Sequence, residues 1–183
     1  MKGLIFTALN DYIEESFGLA YWDYLIKQST PQSEGVYTAS KSYPDQEIAN
    51  YIEIICNEKH IKPEVLLEGF GEFLFPELYE FHKTIMNEFD SFNDFIFSVN
   101  DIIHVEVNKL WQETKLPTIK TQQKEDQTIL MEYSSQRKLC YLAIGLIKGA
   151  SKQYSQPISL NHIQCMHSGA QSCLIEIYTS ENE

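Results

Sequence analysis

Apolar side chains recur at positions 92, 95, 96, 99, 103, 107 and 110, the i, i+3, i+4 spacing of a helix that buries one face, and His104 sits beside that stripe. The run from Val99 through His104 to Trp111 constrains the chain most, because everything else must wall in an imidazole. A buried polar group left unpaired costs roughly 2 kcal/mol or more, so His104 needs a partner. Two readings are open: a core histidine bonded to a backbone carbonyl, or an axial ligand to a metal or haem iron.

The remaining helices read from the same periodicity. Residues 2–17 have helical spacing and stop at Gly18, and residues 19–29 form a second helix, aromatic on one side through Tyr21, Trp22 and Tyr24. Asp45 is the expected N-cap of a helix through Ile48, Ile52 and Ile55; Pro63 opens one over 63–73, Pro76 opens a short one, and Ser91 caps the helix that carries His104. After Leu116-Pro117 the polar residues Thr118 to Gln127 read as connection, and the alternation Thr128–Tyr133 as a strand. Residues 137–154 return to helical spacing, and Pro157–Leu160 and Leu174–Tyr178 look like paired strands around Ser168-Gly169. The expected fold is α+β: a helical N-terminal lobe, and a C-terminal lobe with an antiparallel sheet and helices.

At 183 residues the chain is long enough for one well-filled domain, and its ten phenylalanines and eleven tyrosines suit either an aromatic core or a large apolar cavity. A formal charge of −12 argues against nucleic acid or an anionic membrane as partner. No signal peptide and no run of roughly 20 apolar residues is seen, so a cytoplasmic chain with reduced cysteines is expected. Three of the four cysteines fall in the last 44 residues. Cys140, Cys165 and Cys173 with His162 make a three-cysteine, one-histidine set, a tetrahedral zinc composition in which four protein ligands leave no open site. His167 competes as the nitrogen ligand, and the alternative is a set of reduced buried thiols. Oxidation of those thiolates would eject a metal. Cys56, His60 and His82 read as core-filling or solvent-facing, and the acidic residues around Asp45 and Glu47 as solvated helix faces.

Tyr133-Ser134-Ser135-Gln136-Arg137 carries a second constellation. Extended backbone would put residues 133, 135 and 137 on one side, so that a phenol, a hydroxyl and a guanidinium converge as a carboxylate clamp. A strand end whose polar side faces water is the alternative.

A Tyr-x-Ser-x-Arg stretch downstream of a histidine in an apolar helix resembles the haem nitric oxide/oxygen binding (H-NOX) domains, which are similar to the haem domain of soluble guanylate cyclase. The likeness runs over essentially the whole chain from Met1-Lys-Gly3. It implies a single domain over 1–183, with a helical N-terminal lobe over about 1–60, a haem-binding and C-terminal αβ part over about 61–183, and haem b held between them. It further implies that His104 is the proximal iron ligand, that Tyr133, Ser135 and Arg137 bind the haem propionates, and that Pro117 and Ile5 press on the ring and distort it. Some zinc-bearing members resemble the arrangement of Cys140, His162, Cys165 and Cys173.

Oxygen-binding members have a tyrosine five residues after the clamp arginine, where this chain has Leu142. The resemblance therefore implies a bacterial stand-alone nitric oxide sensor type, with Trp22 or Tyr21 as the other candidate donors to the distal pocket. Such a sensor binds nitric oxide at ferrous iron, loses the proximal histidine bond and signals to a separate effector, by analogy a histidine kinase or a cyclic-di-GMP synthase or phosphodiesterase. It is not itself an enzyme. The chain ends at Glu183, which leaves no expected room for an output domain. Two rivals remain: a zinc-stabilised module holding another anionic apolar ligand without haem, and an enzyme using zinc or a thiol around Cys140 and Cys165.

Overall fold

The structure is a computed structural model that describes residues 1–110 and 116–179. Trp111 lies outside the described residues. Helix α1 (Gly3–Phe17) turns into α2 (Leu19–Ser29) at Gly18, whose φ of 93° lies in the left-handed region that favours glycine. Then come α3 (Asp45–Lys59), α4 (Pro63–Phe81) and the short α5 (Lys83–Met86). Ser91 starts α6 (Phe92–Ser98) by accepting the Asp94 N–H at 3.1 Å. A π-helical segment, Val99–Ile103, leads into α7 (His104–Leu110), with the His104 N–H bonded to the Val99 carbonyl. Strands β1 (Thr118–Gln123) and β2 (Ile129–Ser134), helix α8 (Cys140–Gln153), and strands β3 (Ile158–Gln164) and β4 (Cys173–Thr179) complete the described chain. The sheet is antiparallel with order β1-β2-β4-β3.

Two apolar cores result. Phe6, Leu9, Ile13, Leu25, Tyr51, Ile55 and Phe70 join α1 to α4. Phe92, Phe95 and Ile96 of α6 join Ile129 and Met131 of β2, Ile175 and Ile177 of β4, and Ile147 of α8. Helices α4 and α8 cross between them at glycines. A Cβ on Gly145 would stand 2.0 Å from the Glu68 carbonyl oxygen, and one on Gly71 would stand 2.3 Å from that of Leu142.

The architecture is the expected α+β one, with four local departures. Thr118–Gln123 is a strand rather than a connection, and only Ile119 within it is buried; as an edge strand with one face in water it carries almost no apolar alternation. Pro76 does not open a helix but lies inside α4, which runs on to Phe81. A mid-helix proline costs about 3 kcal/mol, offset here by burial of Leu74 and Phe75 on the same face. Asp45 is the first residue of α3 rather than its cap, and its carboxylate bonds to Arg137 and the N-terminal amine instead.

Glu47, the fourth departure, is not solvated. It is 5 % exposed and accepts bonds from the Ser33 N–H (3.1 Å), the Ser33 hydroxyl (2.7 Å) and the Tyr37 hydroxyl (2.8 Å). That network fastens the 30–44 segment, whose Tyr43 carbonyl holds the Met1 amine at 2.7 Å. Glu47→Ala strands these donors, so urea denaturation is expected to show a loss of about 2–4 kcal/mol. An unchanged midpoint would refute the structural role.

Candidate functional site

A cavity of about 270 Å³ opens where the two cores meet. Its walls take Leu74 and Leu78 from α4, Leu142 and Leu146 from α8, Phe95, Ile96 and Val99 from the α6 run, and Leu4 and Ile5 from α1. His104 and Pro117 line it too, as do Tyr133, Ser135 and Arg137. The histidine, the hydroxyl and guanidinium groups and the apolar residues singled out in the sequence thus border one space.

The π segment sets the angle at which His104 leaves its helix, because an i→i+5 turn holds an extra residue and rotates the helix beyond it. The His104 Nδ1 is buried and makes no hydrogen bond. Burial lowers the pKa of the imidazole, while the Pro117 backbone pulls it back up; the net shift is downward. A neutral imidazole with an unused nitrogen is what an iron ligand must supply.

The clamp is built differently from the extended segment expected. Strand β2 ends at Ser134, so only Tyr133 stands on a strand, while Ser135 and Arg137 lie in a turn closed by the Arg137 N–H on the Ser135 hydroxyl oxygen at 3.2 Å. A turn aims alternate residues inward as effectively as a strand here. Tyr133 is 3 % exposed, and burial pushes its phenol up to about 12 against the opposing bond with Ser135. The Arg137 Nε donates to Asp45 Oδ2 at 2.5 Å, and Asp45 Oδ1 accepts from the Met1 amine at 2.6 Å. Burial raises the Asp45 pKa, but the two cations outweigh it and hold the carboxyl below its usual range. Helix α3 and the N-terminus therefore fix the position of the guanidinium.

Leu74, Leu78, Leu142 and Leu146 form an apolar stretch of the cavity wall whose side chains carry no hydrogen-bond donor, and His82 continues the Leu74–Leu78 row at its end. Neither alternative donor reaches the cavity. Trp22 packs on Tyr51 with ring centroids 5.0 Å apart, and the Tyr21 hydroxyl donates to Glu58 at 2.8 Å. Tyr141 points to the cysteine cluster, its ring 5.7 Å from those of His162 and His167.

The sequence reads His82 as core-filling or solvent-facing, with no link to the site. His82, at the junction of α4 and α5, is buried and borders the cavity with Leu78 and Met86. Ending the α4 pattern near residue 73 hid its place on the cavity; the i, i+4 series 74, 78, 82 would have revealed it.

Cys140, His162, Cys165 and Cys173 bring one ligand atom each to within 4.8 Å of one another. The Cys140 and Cys165 sulfurs are 3.9 Å apart, against the roughly 3.8 Å between sulfurs on a tetrahedral zinc with ~2.3 Å bonds. His162 Nε2 is buried without a partner, whereas His167 Nε2 is bonded to the Lys138 carbonyl at 2.8 Å. Burial raises the Cys165 thiol, but the His167 backbone N–H and the neighbouring Cys140 outweigh it and lower its pKa; burial drives that of Cys140 upward. The donor set fits a soft divalent metal.

The model of one protein family, described as haem-NO-binding, matches residues 2–162. Among solved structures the chain is similar to an H-NOX protein from S. oneidensis in the Fe(II)NO ligation state, at 34 % identity over 99 % of this chain and 100 % of that one, TM-score 0.94. It is similar to an Fe(II) unliganded H-NOX protein from K. algicida, at 27 % identity over 100 % and 98 %, TM-score 0.88. The I5F mutant of T. tengcongensis H-NOX, at 18 % identity over 99 % and 98 % and TM-score 0.87, shares the fold. A search of curated proteins gives no match.

Proposed function

The chain belongs to the haem-NO-binding family, whose H-NOX domains are haem-based gas sensors and not enzymes, and on that premise we propose that it senses nitric oxide and reports to a separate effector protein. The observation that carries the reading is the meeting, in one apolar cavity, of an imidazole whose buried Nδ1 has no partner, a hydroxyl-guanidinium clamp and a leucine wall. These residues fit haem b: His104 would hold the iron, Tyr133, Ser135 and Arg137 the propionates, and Ile5 and Pro117 would press on the ring. Bound there, haem would supply a ferrous iron able to bind a diatomic gas.

What the chain adds is discrimination and movement. Leu142 would offer no hydrogen bond to the negative charge that dioxygen needs held at a ferrous haem, whereas nitric oxide would need none. His104, at the start of α7 and directly after the π segment, would couple the haem to the core carrying α6 and the sheet, so a change at the haem would be felt as a shift of that core against the one carrying α1 to α3. The effector, a histidine kinase or cyclic-di-GMP enzyme by family analogy, would read that shift. Among the described residues no helix is long and apolar enough to cross a membrane.

Visible spectra of the dithionite-reduced protein test the reading. A Soret band that moves to shorter wavelength with nitric oxide and is not held in an altered form in air is the expected result. Leu142→Tyr, which places a phenol on that wall, is expected to give a reversible spectral change in air. A folded protein with no Soret band after haem supplementation refutes the proposal.

The cysteine cluster would hold a structural zinc. About one zinc per chain is expected by elemental analysis. Cys173→Ser should lose most of it and lower the melting temperature, because metal binding is coupled to folding. Wild-type protein free of zinc, with an unchanged melting curve in chelator, would leave reduced thiols as the correct reading.

A further inference from the structure

One side chain of the π segment reaches the strand that follows Pro117. Asn100, one turn before His104, accepts the backbone N–H of Ile119 on its Oδ1 at 3.3 Å, while its Nδ2 donates to Asp101 Oδ1 at 2.8 Å. Ile119 is buried, follows Pro117 by two residues and stands across from Tyr133 in the β1–β2 register. Strand β1 is at the edge of the sheet, so Asn100 supplies the acceptor that a further strand would offer, and a buried N–H without one is costly. The Pro117 backbone in turn lies close enough to the His104 imidazole to act on it. The stretch from Pro117 to Ile119 is thus held to the helical run at two points, His104 and Asn100.

Ile119 also packs against Phe95, Ile103 and Met131, but apolar burial is non-directional, whereas a hydrogen bond fixes position along the strand. From this, and resting on the haem reading above, we infer that Asn100 is a positioning residue: through Ile119 it sets where Pro117 stands relative to His104, and so how hard the proline presses on a ring that His104 holds. Without the carboxamide, the start of β1 keeps its packing and loses its register against the π segment.

Resonance Raman spectra of the ferrous, haem-loaded protein test this, since out-of-plane bands report the shape of the ring. Asn100→Ala is expected to weaken those bands in the same direction as Pro117→Ala. Asn100→Asp, which keeps an accepting oxygen, should hold them at the wild-type intensity. The double variant should lose no more than Pro117→Ala alone, because both changes act on one contact. Ser91→Ala, which removes the α6 cap at a comparable cost in stability, should leave the bands unchanged. Amide hydrogen exchange in the haem-free chain is the second readout, and the Ile119 N–H is expected to exchange roughly fivefold faster in Asn100→Ala. Unchanged exchange at Ile119, or faster exchange with wild-type bands, overturns the proposal. Additive losses in the double variant, or a Pro117→Ala with wild-type bands, overturn it too, and the haem reading stands in every one of these cases. A wild-type chain that takes up no haem overturns both.

Discussion

Replacing His104 with alanine is expected to abolish stable haem binding while the polypeptide still folds. The expectation rests on the separation between what His104 does for packing and what it offers a ligand. Its Nδ1 is enclosed and makes no hydrogen bond, so removing the ring breaks no internal bond at that atom. Alanine is the best helix former, and α7 already begins with its N–H bonded to Val99, a backbone contact that the substitution keeps. Losing even a supporting residue around a metal typically costs 10–100-fold in affinity, and losing the axial ligand should cost about 100-fold or more. The measurement is haem retention through gel filtration, with and without imidazole in the buffer. Imidazole should enter the vacated space and restore the Soret band. A variant that keeps the wild-type spectrum without imidazole would mean that His104 is a core histidine and no ligand.

Gly145→Val is expected to be the most destabilising single substitution in the α4–α8 contact. A Cβ at 145 would stand 2.0 Å from the Glu68 carbonyl oxygen and 2.8 Å from the Gly71 Cα, both backbone atoms that no rotamer change removes. Gly149, one turn on, faces the Phe75 Cβ at 2.4 Å, so sliding α8 along its axis meets a second obstruction. Overpacking of this kind costs about 1–3 kcal/mol, and the upper end applies where helix backbones must part. For a chain of this size each kcal/mol lowers the melting temperature by about 2–4 °C, so a fall of roughly 6–12 °C is expected by circular dichroism. Gly169 makes the comparison: it has open space around it but φ of 93°, so its alanine variant loses only the smaller cost of left-handed backbone. A Gly145→Val protein melting within about 1 °C of wild type would mean that the helices are not in such contact.

Where burial is one-sided, the chain could be read directly. The α1, α2, α3 and α8 stripes, the β2 alternation and the β3–β4 pair come from side-chain period alone, and so does the placing of His104 on a half-apolar helix. The resemblance then joined Tyr133, Ser135, Arg137, Pro117 and Ile5 to that histidine, and the structure puts all six around one cavity. What the period could not carry lies where tertiary contacts overrule it. Edge strand β1 has too little buried surface to show a pattern. Pro76 reads as a boundary because the packing that offsets it comes from α8, some 70 residues later. The π turn at Val99–Ile103 leaves the apolar spacing almost unchanged, since one extra residue shifts only the positions after it. Glu47 and Asp45 look solvated because their partners, Ser33, Tyr37, Arg137 and the N-terminal amine, are distant in sequence.

The glycine contact between α4 and α8 has a mechanical meaning. Gly71 and Gly145 bring two helix backbones together with nothing compressible between them, while a cavity separates the two cores beside that line. Material that meets along one rigid seam and encloses a hollow elsewhere moves as a lever moves. Displacement is least at the fulcrum and grows with distance from it. A change of a few tenths of an ångström in the cavity is therefore largest at the rims, on α1–α2 at one end and on the sheet at the other.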